Sequence, residues 1–304
     1  MHRPPSVLRA VTAVLISTVL VGACVAKLNG ATGAQRNHGR IATMGTAVAA
    51  PNAPQNVAEA AFDGLDARIQ QATQQAADSG AAISVLVLDR VTGRSVSNGN
   101  NSAIATASVA KLFIADDLLF QASTGQRQMS PDDRKALDLM LEASDDDAGE
   151  VFWGRGGGDD IVTRVASRYG LRSTGPGGDG RWWNTITTDG DLARYYDMLL
   201  DGAGGLTLDQ ADIIIGDLWQ SAPEGVDGYP QRFGIPDGLY AERVAVKQGW
   251  MCCVGEDWMH LSTGVIGADR RYVMVIESLQ DSDDRTARNT VTDAVKTMFP
   301  TGRI

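Results

Sequence analysis

A serine and a lysine three residues apart, Ser108 and Lys111, are the residues of this sequence best placed to do chemistry. They lie where a polar loop passes into residues 109–120, a segment in which all but three residues are apolar. That segment predicts a helix buried on most sides, and positions i and i+3 share a helix face. Burial favours an uncharged amine, which can activate a neighbouring serine hydroxyl as a nucleophile without histidine. The alternative is that Ser108 caps the helix and that Lys111 is a surface residue on its first turn.

Two further stretches could complete such a site. Ser144-Asp145-Asp146 follows a predicted helix end, where the serine hydroxyl could pass a proton to a leaving group. Lys247-Gln248-Gly249 ends a predicted strand, where an ammonium attracts a carboxylate and a glycine lets a ligand approach the backbone. Each stretch also has a plainer interpretation, because Ser144 and Asp147 fit a capping box and Lys247 fits an ordinary strand lysine.

In their order and element types, the three motifs resemble the signatures of the serine β-lactamase and penicillin-binding protein superfamily. The resemblance is greatest to class A β-lactamases and covers most of residues 57–304. It includes the residues around the second motif, those before the third motif and a helix start between them, at 140–148, 235–238 and 187–193. Agreement between motifs, elements and flanking residues predicts a shared fold.

The resemblance implies a role for each matched residue. Ser108 is expected to be the acylated nucleophile, with Lys111 as its base and Ser144 as a proton shuttle. Lys247 is expected to bind the carboxylate of a β-lactam or of a D-alanyl peptide. The backbone N–H groups of Ser108 and Trp250 are expected to form the oxyanion hole. The implied ligand is a small molecule or a peptidoglycan peptide, and no cofactor is implied.

Three departures from the family pattern bear on turnover. Asp146 stands where the family usually has Asn, so a substrate carbonyl would meet an acceptor unless this carboxylate is protonated or paired with Lys111. Gln248 replaces a Thr or Ser and removes a hydroxyl from the carboxylate pocket. Residues 174–188 hold Asp179 as their only acid, whereas class A enzymes place a water-activating glutamate there. An acyl-enzyme should therefore turn over slowly, and a catalytically impaired binding protein of the envelope is the alternative.

Around these motifs the sequence predicts an α+β fold, in which terminal helices flank a mainly antiparallel five-stranded sheet and an all-helical lobe is inserted. The strands are expected at residues 82–88, after the turn 89–93, and at 243–247, 258–267 and 271–278. Besides the helix after Ser108, helices are expected at residues 58–77, 130–143, 160–169, 189–200, 208–219 and 285–298. The domain is expected to span residues 57–304, with a sheet lobe of 57–98 and 240–304 and a helical lobe of 99–239.

The N-terminal residues predict export. Residues 1–23 combine early arginines with an apolar stretch, and the following Val21-Gly-Ala-Cys24 resembles a bacterial lipobox. In such signals the chain is cut before the cysteine, so Cys24 is expected to carry the lipid and residues 24–56 to form a flexible tether. An uncleaved membrane anchor is the alternative, because residues 10–26 are only slightly short of a spanning helix. Both place the domain on the extracytoplasmic face of the cell membrane.

Charge and histidine content exclude other classes of function. The first 56 residues contain five Lys and Arg and no acid, so residues 57–304 carry 22 bases and all 37 acids, a net charge of −15. Such a domain repels phosphate backbones, and nucleic acid is not an expected partner. His260 is the only histidine in this part, which excludes a His-rich metal site, and it is expected to be structural.

Two groups of side chains near the third motif keep two interpretations each. Cys252 and Cys253 fit either a disulfide between neighbours or two free buried thiols, in a compartment that is oxidising. Trp182, Trp183 and Trp250 fit either the lining of a cleft or the filling of a core.

Overall fold

The computed structural model describes residues 62–304, and its central element is an antiparallel sheet. The strands of this sheet are β1 (Ala81–Asp89), β2 (Arg94–Ser97), β5 (Val244–Val254), β6 (Asp257–Ile266) and β7 (Tyr272–Gln280). Their order is β2-β1-β7-β6-β5, which makes β5 an edge strand. A second, two-stranded sheet pairs β3 (Ile104–Ala105) with β4 (Ile186–Thr187).

Helices account for most of the chain between the strands. They are α1 (Leu65–Asp78), α2 (Lys111–Ser123), α3 (Pro131–Glu142), α4 (Asp146–Gly156), α5 (Asp159–Tyr169), α6 (Asp189–Leu200), α7 (Leu208–Trp219), α8 (Ile235–Gly238) and α9 (Asp284–Met298). The start of α3 shows how the sequence sets a boundary. Ser130 and Asp133 form a capping box, and Pro131 occupies the first helical position, where no N–H is needed.

The sheet separates two hydrophobic cores. On one face, the terminal helices α1 and α9 pack through residues such as Ile69 and Val295 against Val85 and Met274 of the sheet. The opposite face contributes Leu261 to the core of the helical lobe. Burial on both faces holds the sheet in one position, so its edge strand β5 can serve as a fixed wall for a site.

The α+β fold class and the five-stranded antiparallel sheet are confirmed. The predicted helices 189–200 and 208–219 have the bounds of α6 and α7, because both are strongly periodic and capped by a threonine. The helix expected at 58–77 begins as α1 only at Leu65, because Gly64 has a φ of 67° and interrupts it. Its first residues, 58–61, lie outside the described part.

The inserted lobe is not all-helical, because it contains the small sheet of β3 and β4. Strands of two residues are too short to show a period in the sequence. The sequence also failed to predict α4, since the acidic residues at its start resemble a solvated surface segment. In the structure they occupy the N-terminal turn of the helix, where negative charge is favourable.

The predicted export signal, the tether and Cys24 lie outside the described residues. None of the helices between residues 62 and 304 has the length and apolar content that crossing a bilayer requires.

Candidate active site

Ser108 lies on a short 3₁₀ helix, Ala107–Ala110, directly before α2. Ala107 has a φ of 43°, which is uncommon for a residue other than glycine. This turn packs closely on β5 at Gly249, where an added Cβ would lie 2.6 Å from the carbonyl oxygen of Thr106. Gly249 therefore allows the turn that carries Ser108 to approach the strand, whereas the sequence had suggested only the approach of a ligand.

Lys111 is the first residue of α2, and its side chain is completely buried. Its Nζ lies 3.0 Å from Ser108 Oγ and 2.8 Å from the carbonyl oxygen of Ser144. Nζ also donates to Asp146 Oδ1 at 2.5 Å, and it lies 4.6 Å from the ring centroid of Trp182. Burial lowers the pKa of this amine, and the Asp146 carboxylate partly offsets the effect. Lys111 is therefore not a surface residue, and Ser108 makes no side-chain cap to α2.

Ser144 lies in the connection between α3 and α4 with a φ of 56°. Its Oγ is 3.2 Å from Lys111 Nζ and accepts a hydrogen bond of 2.8 Å from Lys247 Nζ. Residues held in sparsely populated backbone conformations cluster at functional sites. Of the three such residues other than glycine between 62 and 304, Ala107 and Ser144 both adjoin the Ser108–Lys111 pair.

Lys247 reaches the same hydroxyl from β5, and only 1% of its surface is exposed. Its Nζ also donates to the carbonyl oxygen of Gln248 at 3.2 Å. Burial lowers the pKa of Lys247 well below its ordinary value, and the nearby Lys111 lowers it further. Two amines that share one buried hydroxyl repel each other when both are charged, which favours a neutral form for at least one of them.

The four side chains form a continuous proton path. A neutral Lys111 amine at 3.0 Å can take the proton of Ser108 as its oxygen attacks a carbonyl. The Ser144 hydroxyl contacts both amines and can pass a proton onward to a leaving group. The arrangement is thus competent for acyl transfer without histidine.

Asp145, and not Ser144, caps α4. The Asp145 Oδ1 accepts a hydrogen bond from the backbone N–H of Ala148 at 2.6 Å. The capping-box interpretation of Ser144 and Asp147 is therefore wrong. This cap leaves the Ser144 hydroxyl to the two lysines and places the Asp146 side chain, 69% exposed, at the edge of the site.

A cavity of about 220 Å³ opens beside Ser108. The residues that line it come from five parts of the chain and include two carboxylates and three indoles: Ala107, Ser108, Asp146, Trp182, Trp183, Asp227, Trp250 and Met251. All three tryptophans in question thus line the cleft. Trp250 is held in place by stacking on Tyr229, with ring centroids 4.3 Å apart.

Not every residue predicted from the third motif lines this cavity. Gln248 is fully buried and donates to the carbonyl oxygens of Gln231 and Phe233 at 2.9 and 2.7 Å, so its contact with a ligand stays a prediction. Asp227 and Met251 were not predicted. Met251 directly follows Trp250 along the edge strand, which was a usable signal, whereas Asp227 lies in a turn with no motif.

The segment 174–188 contributes indoles to the cavity and no carboxylate. Its only acid, Asp179, accepts hydrogen bonds from the Asn184 side chain at 2.7 Å and from the backbone of Arg181 at 3.1 Å. Asp179 is absent from the cavity lining, and no glutamate among the described residues lines it. The position that activates water in class A enzymes is therefore filled differently here.

The remaining residues singled out from the sequence lie near the third motif. Cys252 and Cys253 are joined by a disulfide and are exposed at the end of β5, so the interpretation as buried thiols is wrong. His260 is fully buried, and its Nε2 lies 2.7 Å from the Tyr229 hydroxyl. Burial lowers the pKa of His260 to about 4, so its ring is neutral at pH 7 and supports the Tyr229–Trp250 stack.

Comparison with solved structures identifies the class of protein. A β-lactamase from Chitinophaga pinensis superposes with a TM-score of 0.63 at 12% identity, covering 78% of this chain and 100% of that chain. The penicillin-binding protein PBP-A superposes with a TM-score of 0.63 at 17% identity, covering 79% of this chain and 96% of that chain. A variant of PBP-A is an acyl-enzyme complex with penicillin G. The fold is that of class A β-lactamases and penicillin-binding proteins.

Sequence comparison identifies the family. The protein named "Putative lipoprotein LppW" in Mycobacterium tuberculosis and in Mycobacterium bovis is 66% identical over 258 residues, which cover 85% of this chain and 82% of that protein. The chain belongs to the LppW family. No protein-family model matches it.

Proposed function

We propose that this chain is an exported, lipid-anchored serine acyl-enzyme protein that binds or slowly hydrolyses D-alanyl peptides or β-lactams. The observation that carries the proposal is the 3.0 Å contact between Lys111 Nζ and Ser108 Oγ, made by an amine that is completely buried. Because burial lowers the pKa of Lys111, the amine loses its proton more readily than an exposed lysine would. That is the condition for a lysine to act as the base of a serine nucleophile.

In the proposed acylation, Ser108 Oγ attacks the carbonyl carbon and its proton passes to Lys111 Nζ. The Ser144 hydroxyl then gives a proton to the leaving nitrogen and is reprotonated from the amines that contact it. The oxyanion would receive hydrogen bonds from the backbone N–H groups of Ser108 and Trp250. The edge position of β5 supports this role, because alternate backbone groups of an edge strand point away from the sheet.

Deacylation is expected to be slow. No glutamate among the described residues lines the cavity, and Asp179 is bound to its own loop. Asp146 does line the cavity, but it is paired with Lys111 at 2.5 Å. A water molecule near an ester of Ser108 would therefore have no carboxylate dedicated to its activation, and the acyl-enzyme should accumulate.

The proposal places the protein at the extracytoplasmic face of the cell membrane, anchored by lipid at Cys24. The lipobox-like Val21-Gly-Ala-Cys24 and the name of the mycobacterial relative, a lipoprotein, both support this location.

The test is incubation with a reporter penicillin, followed by intact-mass measurement. We expect a covalent adduct that persists after free penicillin is removed and that is absent in Ser108→Ala. Ser123→Ala, at the end of α2, is the matched control and should keep the adduct, because it makes only a local hydrogen bond there. The proposal would be rejected if several β-lactams gave no adduct, or if Ser108→Ala formed it as readily.

A second candidate function is binding without catalysis. The specific observation in its favour is the ion pair between Lys111 and Asp146, because a carboxylate at 2.5 Å stabilises the protonated lysine and opposes its action as a base. Reversible binding of D-alanyl peptides with no adduct would support this function. Efficient hydrolysis of any β-lactam would eliminate it.

A further inference from the structure

The cavity beside Ser108 has acidic walls. Asp146 and Asp227 both line it, both side chains are exposed, and no Lys or Arg of residues 62–304 belongs to the lining. Asp227 is oriented by its Oδ1, which accepts a hydrogen bond of 2.9 Å from the backbone of Tyr229. A ligand that enters the cavity therefore meets two carboxylates and no accessible cation.

The two lysines beneath the cavity do not reverse this charge. Lys111 is completely buried and bonded to Asp146, and Lys247 is 1% exposed and bonded to Ser144. Because neither amine is exposed, the lysines offer little direct contact to a ligand carboxylate.

The aromatic walls favour the same sign of charge. Trp182 lies 4.6 Å from the Lys111 amine, and Trp183 lies 5.4 Å from the Arg181 guanidinium, so both indoles already attract cations. The two rings pack edge to face with centroids 5.0 Å apart. Trp250 and its partner Tyr229 form a flat aromatic surface elsewhere in the lining.

We propose that this cavity selects ligands that carry a primary ammonium group, and that its occupant is a short D-alanyl peptide with a free side-chain amine. The ammonium would lie against Asp146 and Asp227 and over the indole faces, the arrangement that binds organic cations in aromatic cages. The net charge of −15 on residues 57–304 attracts such ligands from solution. The D-alanyl part of this inference rests on the proposed function, whereas the preference for a cation rests on the cavity itself.

The test uses Ser108→Ala, in which acylation is blocked, and three peptides that end in D-alanine and differ at one lysine side chain. That amine is free, acetylated or succinylated, so the group is positive, neutral or negative. Affinity is measured by titration calorimetry at about 20 mM and about 300 mM salt. We expect the free amine to bind about tenfold more tightly than the acetylated form at low salt, the succinylated form to bind most weakly, and the difference to shrink at high salt.

Matched variants locate the effect. Adding Asp227→Asn to the Ser108→Ala protein should reduce the preference for the free amine by about threefold or more, and Trp183→Leu should reduce it similarly. Asp209→Asn removes the same charge from an exposed residue of α7 outside the cavity and should leave the preference unchanged.

The outcomes separate this inference from the proposed function. Equal binding of the three peptides, tightest binding of the succinylated peptide, or no measurable binding of the free amine would each overturn the ammonium preference. A Ser108 penicillin adduct formed without that preference would leave the proposed function intact. Preference for the free amine without an adduct would support the cavity inference and reject acylation.

Discussion

At Lys111, two effects act on one amine in opposite directions. Complete burial lowers the pKa of Lys111, while the carboxylate of Asp146 raises it. The Asp146 side chain is 69% exposed, so solvent weakens its hold on the lysine, and burial has the larger effect on the pKa. Residue 146 therefore adjusts how readily the base forms without deciding whether it can form.

Replacing Asp146 by Asn should move the reaction of Ser108 to lower pH. Without the carboxylate, the pKa of Lys111 falls further, and a larger fraction of the amine is neutral at a given acidic pH. The rate of adduct formation with a reporter penicillin should rise about three- to tenfold at about pH 6, since an ion pair with one exposed partner contributes on the order of 1 kcal/mol. The measurement is the pH–rate profile of Asp146→Asn against the parent.

Asp147→Asn is the matched control for this prediction. It removes the same charge one residue along α4 from an exposed side chain, and Asp147 is not among the main charges that act on the Lys111 pKa. Its profile should coincide with that of the parent. A profile of Asp146→Asn that stays in place, or that moves to higher pH, would contradict the role assigned to the ion pair.

At this scale, the sequence predicted the residues whose environment is local. Lys111 follows from its apolar neighbours, because a lysine inside such a segment is buried with them. The cavity residue Asp227 could not be predicted in this way. It reaches the site through a turn far from any motif in the chain, and such proximity depends on tertiary packing.

At the scale of elements, the site depends on how closely the 3₁₀ helix Ala107–Ala110 approaches β5. At Gly249, an added Cβ would lie 2.6 Å from the Thr106 carbonyl oxygen and 3.3 Å from Val109 Cγ2. Because the nearest of these atoms belongs to the backbone, the contact is difficult to relieve. The position of Ser108 relative to Lys247 and Trp250 is thus fixed by the absence of a side chain.

Gly249→Ala should therefore separate the 3₁₀ helix from the strand. We expect a loss of about 1–3 kcal/mol in the free energy of unfolding from overpacking, measured by urea denaturation. The rate of Ser108 adduct formation should fall by more than about tenfold, because a displacement near 1 Å disrupts catalytic geometry.

Gly216→Ala provides the comparison for this substitution. Gly216 lies within α7 and has no atom within 4 Å of an added Cβ, so alanine there should be neutral or stabilising. If Gly249→Ala behaved like Gly216→Ala in both assays, the close packing of the 3₁₀ helix on β5 would not be needed for the site.

Element prediction succeeded where the sequence period is long and failed where an element is short or begins with charge. The bounds of α6 follow from its apolar period and its Thr188 cap. By contrast, α4 begins with Asp145, Asp146 and Asp147, whose helix-starting role is visible only once the Asp145 cap to Ala148 is seen. The second motif was thus correctly expected after the end of α3, but the helix that begins directly after Ser144 was missed.

At the scale of the whole molecule, the sheet is buried on both faces, and one consequence is a charged residue in a dry position. Glu277 of β7 is 4% exposed, and its Oε2 has no hydrogen-bond partner among residues 62–304. Across the sheet it pairs with Ser84, whose hydroxyl donates to Asp189 at the start of α6. Burial raises the pKa of Glu277 to about 8, with a further contribution from the charge of Asp189. Burial also raises the pKa of Asp189 to about 6.

These two carboxyl groups should make the protein less stable as the pH rises. Each folded-state pKa lies above the unfolded value, so the folded state holds its protons while the unfolded chain releases them. The associated stability is fully present below about pH 4 and is lost as the pH rises to about 8. We expect the free energy of unfolding in urea to fall by on the order of 3 kcal/mol between about pH 5 and pH 8. In Glu277→Gln most of this dependence should disappear, and the variant should be more stable than the parent at pH 8, since the unpartnered Asp189 Oδ1 can accept from the new amide. Glu256→Gln, at an exposed turn between β5 and β6, should retain the parent's dependence. Equal slopes in the parent and in Glu277→Gln would mean that Glu277 does not hold a proton in the folded sheet.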